Sequence, residues 1–303
     1  MKIYIKKSNI VGAWLWIDKG YEHAWRESGF DVEYFDKLEE ITSSEYDISL
    51  REWDIESLSD LKFLEKARRV YIFAQPQIFP KPWGLHPNFV SRLPGDIIRS
   101  LNQMENVYLW TFGSVNPDFH HKWKKTYTVP LAFDSVSYKP IRDEKYAKYD
   151  ICFIGGWANN GFDEKRKIMV EAFLEFKHSG LKCGFFVNRN LNHEQENLLL
   201  YNSKLSLNIH DSYQRILGYD TNERTFKALG LSGALISDEV GQLKNMFPHV
   251  KTSNDPKELV GFAREYLSLT EKELSKIKEE NRQNILDNHC YIHRVQQLLN
   301  LTN

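Results

Sequence analysis

From Tyr149 onward the chain alternates short apolar runs with amphipathic stretches, and this rhythm constrains its fold more than any other feature. "YDICFIGG" is a strand running into two glycines, "FDEKRKIMVEAFLEFKHSG" has helical spacing and stops at a glycine, and "LKCGFFV" is a strand again. "NHEQENLLLYNSK", "NERTFKALGLSG" and "VGQLKNMF" are helices interleaved with the strands "LSLNIH" and "ALISD". Two helices, "DPKELVGFAREYLS" and "TEKELSKIKEENRQNILDN", close the region. Strands separated by helices in this way form a parallel sheet. In open α/β sheets ligands bind at the carboxyl ends of the strands, near a topological switch point.

The first half opens in the same manner. "KIYIKK" alternates like a strand, and a glycine-containing loop follows. "WIDKGYEHAWRESGF" is predicted as a helix with Ile17, Tyr21, Ala24 and Trp25 on one face and Gly29 as its C-cap. "DVEYFD" completes the β–loop–α–β opening of a doubly wound sheet. "RRVYIFA" and "NVYLWTFG" are further strands, with a Pro- and aromatic-rich loop and the helix "LPGDIIRSLNQM" between them. A length of 303 residues suits two domains of ~150 residues. The predicted division is 1–130, a Pro-bearing linker and hinge at 131–148, a second domain at 149–285, and a terminal helix at 286–303 that packs back on the first domain.

Charge narrows the function. Lys plus Arg number 40 and Asp plus Glu 41, which is not the balance of a dedicated duplex-DNA binder, although Lys122, Lys124 and Lys125 form a local basic patch. Most of the aromatic residues are assigned to the core. Trp14, Trp16 and Trp157 sit in loop-like contexts and are open to sugar or base stacking. Cys152, Cys183 and Cys290 lack disulfide or metal spacing and read as free thiols, which suits a reducing compartment. No apolar run of ~18 residues exists and "MKIYIKKSNI" is unlike a signal peptide, so a cytoplasmic location is expected.

Three strand ends in the second half carry candidate chemistry. Gly155 and Gly156 let the backbone approach a phosphate, or form a plain turn. In "HDSYQRILGYDTNERTFKALG" a polar loop leads to a helix opening near Thr221 or Asn222, whose free amides favour a phosphate. Arg224 adds a charge-assisted bond and Glu223 an acceptor for ribose hydroxyls; the alternative is a capped surface helix. Asp238 ends "ALISD" as a donor contact or as a turn residue, and Arg189, after "CGFFV", either reaches a phosphate or is solvated.

Four ordered pieces together resemble the C-terminal domain of the spore-maturation-B-like group 1 glycosyltransferases: "VPLAFDSVSYKP", "YDICFIGG", "NERTFKALGLSGALISDEVGQLKNMF" and "HCYIHRVQQLL". The resemblance covers roughly residues 128–300. It implies the GT-B architecture, two Rossmann-like α/β domains facing across a cleft. The second domain would hold a nucleoside diphosphate sugar of the UDP or GDP type as substrate, with no cofactor and no metal. Donor-binding residues would be Gly155, Gly156, Arg189, Arg215, Asp220, Asn222, Glu223, Arg224, Thr225, Lys227 and Asp238. Related enzymes commonly carry a Glu after the Phe of the Asn-x-Arg-x-Phe helix. Here that position is Lys227, so Glu223 or Asp220 substitutes for it, or Lys227 touches the phosphates. His289, Tyr291, His293 and Arg294 are assigned to packing of the terminal helix.

If transfer inverts configuration, an acid or histidine of the first half must deprotonate the acceptor hydroxyl. Asp18, His23, Asp118 and His120 are the catalytic candidates, with His86 also in a loop-like position; retention needs none of them. The acceptor is open between a glycan, a lipid-linked glycan, a protein and a nucleobase. Competing readings are a sugar-nucleotide epimerase of the same shape and a non-catalytic nucleotide- or glycan-binding protein. No Gly-x-Gly-x-x-Gly follows a first strand in either half, against a dinucleotide oxidoreductase.

Overall fold

The computed structural model describes residues 1–8, 13–75, 77–82, 84–86, 89–91, 93–114, 123–124, 126–157 and 164–301. The chain divides into two compact units, Met1–Pro130 with Tyr291–Asn303, and Leu131–Cys290.

Unit 1 is built on six strands, β1 (Lys2–Lys6), β2 (Asp31–Phe35), β3 (Asp47–Arg51), β4 (Arg69–Phe73), β5 (Val107–Thr111) and β6 (Thr126–Thr128). They lie in the order β2-β1-β3-β4-β5-β6, and every pairing is parallel. Helices α1 (Ala13–Glu27), α2 (Leu61–Lys66), α3 (Gly95–Leu101) and α11 (Tyr291–Asn300) accompany the sheet. Val70, Tyr71 and Ile72 of β4 are all fully buried, as expected of a central parallel strand covered on both faces. The predicted α1 stripe of Ile17, Tyr21, Ala24 and Trp25 is buried, and Gly29 follows at φ +84°. The helix begins at Ala13, so Trp14 and Trp16 are helical rather than in a loop. α11 seats on α1 through Gly20: a Cβ there would stand 2.2 Å from the Tyr291 ring. Arg294 Nε donates to Pro130 O at 3.0 Å, and Gln297 Nε2 to Thr128 O at 3.0 Å.

Strand β3 was not legible in sequence, because Asp47 opens it and only Ile48 and Leu50 are strongly apolar. Asp47 is tolerated in full burial because Arg68 and Arg69 neutralise it at 2.8 and 3.2 Å.

Unit 2 has five strands, β7 (Ile151–Gly155), β8 (Cys183–Val187), β9 (Leu205–Asn208), β10 (Leu235–Ser237) and β11 (Lys251–Thr252), ordered β11-β10-β9-β7-β8 and again all parallel. Its helices are α4 (Lys165–His178), α5 (His193–Asn202), α6 (Ser212–Leu217), α7 (Glu223–Leu231), α8 (Gly241–Met246), α9 (Pro256–Ser268) and α10 (Glu271–Asn288). The loop expected before α7 contains α6, which ends at Gly218 in the left-handed region. Leu131, Ala132, Phe133 and Tyr138, from the 131–148 segment, are buried in this unit, and Phe133 N donates to His289 O at 2.8 Å.

The first strand of each sheet is flanked by the second and third, β1 by β2 and β3, β7 by β8 and β9. The strand order therefore reverses between β1 and β3 in unit 1 and between β7 and β9 in unit 2. Connections leave to opposite faces at these points and open a crevice at the carboxyl ends. Among the described residues, no helix is long and apolar enough to cross a membrane.

Candidate functional site

In unit 2 one side chain occupies the switch point. Arg224, in the first turn of α7, donates from Nε to Ile154 O at 2.6 Å and from Nη1 to Ile209 O at 3.1 Å and Asn208 Oδ1 at 3.0 Å. It thereby ties the carboxyl end of β7 to that of β9, with its guanidinium 4.8 Å from the Phe153 ring centroid. A Cβ on Gly155 would lie 2.1 Å from Arg224 Nη2. The first glycine of the pair is thus required by the arginine, and among the described residues Nη2 is the guanidinium nitrogen without a hydrogen bond. Burial pulls the Arg224 pKa down, opposed chiefly by the charge of Asp211.

The start of α7 is held by polar bonds. Asn222 caps it, its Oδ1 accepting from Thr225 N at 3.2 Å, while Asn222 and Asn208 exchange amide bonds at 2.9 and 3.1 Å. Thr221 N donates to Gln242 Oε1 at 2.8 Å, and the Thr221 and Thr225 hydroxyls bond at 2.6 Å. The amides of Glu223 and Arg224, the first two of the helix, make no hydrogen bond among the described residues. Unpaired amides at this position favour an anion.

Beneath them lies a buried chain. His210 Nδ1 stands 2.6 Å from Asp238 Oδ1, His210 N donates to both oxygens of Asp238, and His210 Nε2 stands 2.7 Å from Thr221 Oγ1. Burial pushes the Asp238 carboxyl up, but His210, followed by Arg215, outweighs it and leaves the group below its ordinary value. Asp238 therefore fixes the β9 and β10 ends and is not offered to a ligand. A folded pKa below the unfolded one means stability that is present above the unfolded value of 3.8 and is lost as pH falls through the folded value. The melting temperature is expected to fall as pH drops below about 4, and Asp238→Asn should flatten that fall. An unaltered acid profile in the variant would contradict the role given to this pair.

The other predicted donor residues separate into two groups. Arg189 is exposed at the end of β8, between Asn188 and Asn190 at positive φ, and makes no bond among the described residues. Gly156 lies beside it, its absent Cβ 3.2 Å from Asn188 Oδ1. Arg215 bonds Asn254 at 3.1 Å and stands 3.5 Å from Asp238. These remain at the carboxyl edge. Asp220 is buried, accepting from Gln214 at 2.9 Å and Tyr213 at 3.3 Å. Lys227 is also buried: Nζ donates to Glu196 Oε2 at 2.9 Å and lies 3.5 Å from Glu223 Oε2 and 3.4 Å from Tyr138 Oη. Burial lowers the Lys227 pKa, but the two carboxylates more than reverse this and hold it raised. Its charge is thus neutralised inside unit 2. Burial raises the Glu223 pKa; Lys227 opposes this, and the like charge of Glu196 adds to the rise.

Sequence reasoning missed Lys165. It sits in the charge run "DEKRK", which reads as a solvated helix start. In the structure Lys165 is buried and bonds Asp211, the N-cap of α6. Burial lowers its pKa, Asp211 opposes, and Arg224 lowers it further. Glu196 and His210 were missed as well, being scattered polar residues without motif spacing.

In unit 1, Asp18 is bound by one nitrogen of Arg51, whose Nη2 donates to both carboxylate oxygens at 2.8 Å. Burial raises the Asp18 pKa and Arg51 opposes it. Both line a crevice at the ends of β1 and β3. His23 lies one and a half turns further along α1, about 7.5 Å beyond Asp18, and does not line it. His86 packs on Phe89 at 5.6 Å. Asp118 and His120, with Lys122 and Lys125, fall outside the described residues; Lys124 pairs with Glu105. Trp157 is exposed, with Arg166 5.7 Å from its ring centroid. A cavity of about 660 Å³ lies at the start of β11 against α9 and α10, and none of the residues above line it.

Comparison with known proteins bears on the fold. Residues 155–300 match the family described as Glycosyl transferase-like, a span beginning at Gly155 and including Arg224. No curated protein matches the chain by sequence. An alpha-glucosyltransferase in complex with UDP superposes with a TM-score of 0.63 at 10% identity, over 100% of this chain and 99% of that one. An E. coli trehalose-6-phosphate protein bound with UDP-2-fluoro glucose gives 0.60 at 10%, over 100% and 99%. The DNA-modifying enzyme β-glucosyltransferase, studied with and without uridine diphosphoglucose, gives 0.53 at 13%, over 98% and 99%. At these identities the likeness is one of fold, and the fold is two parallel-sheet α/β units matching the GT-B glycosyltransferases.

Proposed function

We propose that the chain is a glycosyltransferase of the hexosyl type that moves a sugar from a nucleoside diphosphate sugar, UDP above GDP, to an acceptor hydroxyl. The observation carrying this reading is Arg224, laid across the β7/β9 switch point with Gly155 cut away to admit it. A diphosphate there meets Arg224 Nη2 and the amides of Glu223 and Arg224, with Arg189 at the rim. The same groups stabilise the leaving diphosphate as the sugar bond breaks, through charge already oriented before the reaction. Because these cations are supplied by side chains, we read the transfer as metal-independent. The three cysteines are free, which suits the reducing compartment assigned above.

For the acceptor hydroxyl, Asp18 is the base in this reading. Among the described candidates it is the one lining a crevice, and a raised carboxyl pKa is better matched to proton abstraction near neutrality. The family resemblance gives the helix a ribose-binding Glu where Lys227 stands. Lys227 faces inward with Glu223, so in this reading the ribose contact falls to another group at the carboxyl edge.

UDP at about 100 times its dissociation constant should stabilise the protein by ~2.7 kcal/mol, raising the melting temperature of a unit this size by about 5–10 °C. NAD should leave it unchanged. Slow release of UDP from one UDP-sugar would separate an enzyme from a binding protein. Equal shifts with NAD and UDP, or none with any nucleotide, would remove the donor site from unit 2.

A further inference from the structure

Asn208 closes strand β9 and is fully buried. Asparagine is disfavoured in strands, so its place there asks for a reason. Its backbone belongs to the sheet: it pairs with Ser237 of β10, and Asp238 N donates to Asn208 O at 3.3 Å.

The side chain can be assigned atom by atom. Arg224 Nη1 stands 3.0 Å from it, and a guanidinium has no acceptor, so the facing atom is the amide oxygen. That oxygen also accepts from Asn222 Nδ2 at 3.1 Å. The amide nitrogen donates to Asn222 Oδ1 at 2.9 Å and to Thr225 Oγ1 at 2.9 Å, with His210 Nε2 beside it at 3.3 Å. Asn222 Oδ1 is in turn the cap of α7, accepting from Thr225 N at 3.2 Å. The amide of Asn208 therefore accepts from the arginine and donates to the helix cap at the same time.

Side chains of similar size do not do both. Aspartate keeps an oxygen for Arg224 but sets its other oxygen against Asn222 Oδ1, acceptor facing acceptor. Leucine fills the space and holds neither partner. Arg224 has two further anchors, Ile154 O and Ile209 O, both carbonyls at strand ends. Asn208 is the contact that joins the guanidinium to the start of α7. Donors fixed in place before a ligand arrives need not reorganise when it binds.

We propose that Asn208 is a positioning residue for the diphosphate: it acts through Arg224 and the α7 cap, holding guanidinium and first-turn amides in one fixed arrangement. The ligand in this inference rests on the donor reading of unit 2, but the arrangement itself is read without a nucleotide. Full-length protein labelled at arginine is examined by NMR in the absence of UDP. In the wild type the Arg224 Nη signals should be split, because hydrogen bonds stop the guanidinium from turning. Asn208→Leu should merge them, and Asn208→Asp, which keeps the acceptor, should leave them split. Where Asn208→Leu melts too low to study, Asn208→Ala serves in its place, because it adds no bulk.

Calorimetric titration with UDP follows. Asn208→Leu should weaken binding about tenfold. In an Arg224→Met background, where its main partner is gone, the same substitution should cost about twofold or less. A residue that served only the fold would lower the melting temperature and leave the UDP affinity of the folded protein unchanged. That result, an equal loss in both backgrounds, or unaltered Arg224 signals in Asn208→Leu would overturn the inference. Failure of UDP to bind the wild type defeats the donor reading and with it the service to a diphosphate. The arginine signals then still decide whether Asn208 holds Arg224.

Discussion

Gly155→Ala is expected to weaken UDP binding by about 10- to 100-fold while leaving the protein folded. The new Cβ would fall 2.1 Å from Arg224 Nη2, 2.6 Å from Cζ and 2.8 Å from Nε, so the whole guanidinium must leave. With it go the bonds to Ile154 O and Ile209 O that aim the group. Hydrogen bonds from a charged group are worth about 1.5–3 kcal/mol each, which sets the size of the loss. The clashing atoms end a flexible side chain, so the sheet itself need not move. Calorimetric titration with UDP measures the affinity, and thermal melting confirms the fold. An unchanged dissociation constant would show that Arg224 does not serve the diphosphate.

The second large effect is on stability. In a free helix Gly→Ala gains about 1 kcal/mol. Gly20→Ala should instead cost about 2–3 kcal/mol, because the added Cβ would stand 2.2 Å from the Tyr291 ring, and overpacking of a filled core carries such a cost. Tyr291, Val295 and Leu298 of α11 are all buried, so displacing this helix exposes a continuous apolar face. Unit 1 should melt about 5–10 °C lower. A second variant, Tyr291→Ala with Gly20→Ala, should recover part of the clash cost without restoring the lost burial. A rise in melting temperature for Gly20→Ala alone would show that α11 is not seated on α1.

Much of this was legible in the sequence because the fold is set by apolar runs and glycine stops. "DICFI" and "CGFFV" announce strands by composition alone, and both became neighbours in one sheet. Thr221 and Asn222 both suit a cap in the sequence, and the structure places it at Asn222. What sequence could not show is partnership over distance. Asp47 argues against a strand until Arg68 and Arg69 are seen beside it. Lys165 reads as a surface charge until Asp211 is brought to it across 46 residues. Lys227, weighed as a phosphate contact, is instead turned inward by Glu196, which lies on a different helix. In sequence the glycine pair suits either a phosphate or a plain turn, whereas in the structure Gly155 makes room for the arginine. Local pattern gives elements; burial of charge is decided by contacts that no spacing encodes.

The most direct measurement is a crystal structure of the protein with UDP. The expected result is a pyrophosphate within hydrogen-bond reach of Arg224 Nη2 and of the amides of Glu223 and Arg224. UDP bound elsewhere, for instance in the cavity at the start of β11, with Arg224 untouched, would contradict the donor site.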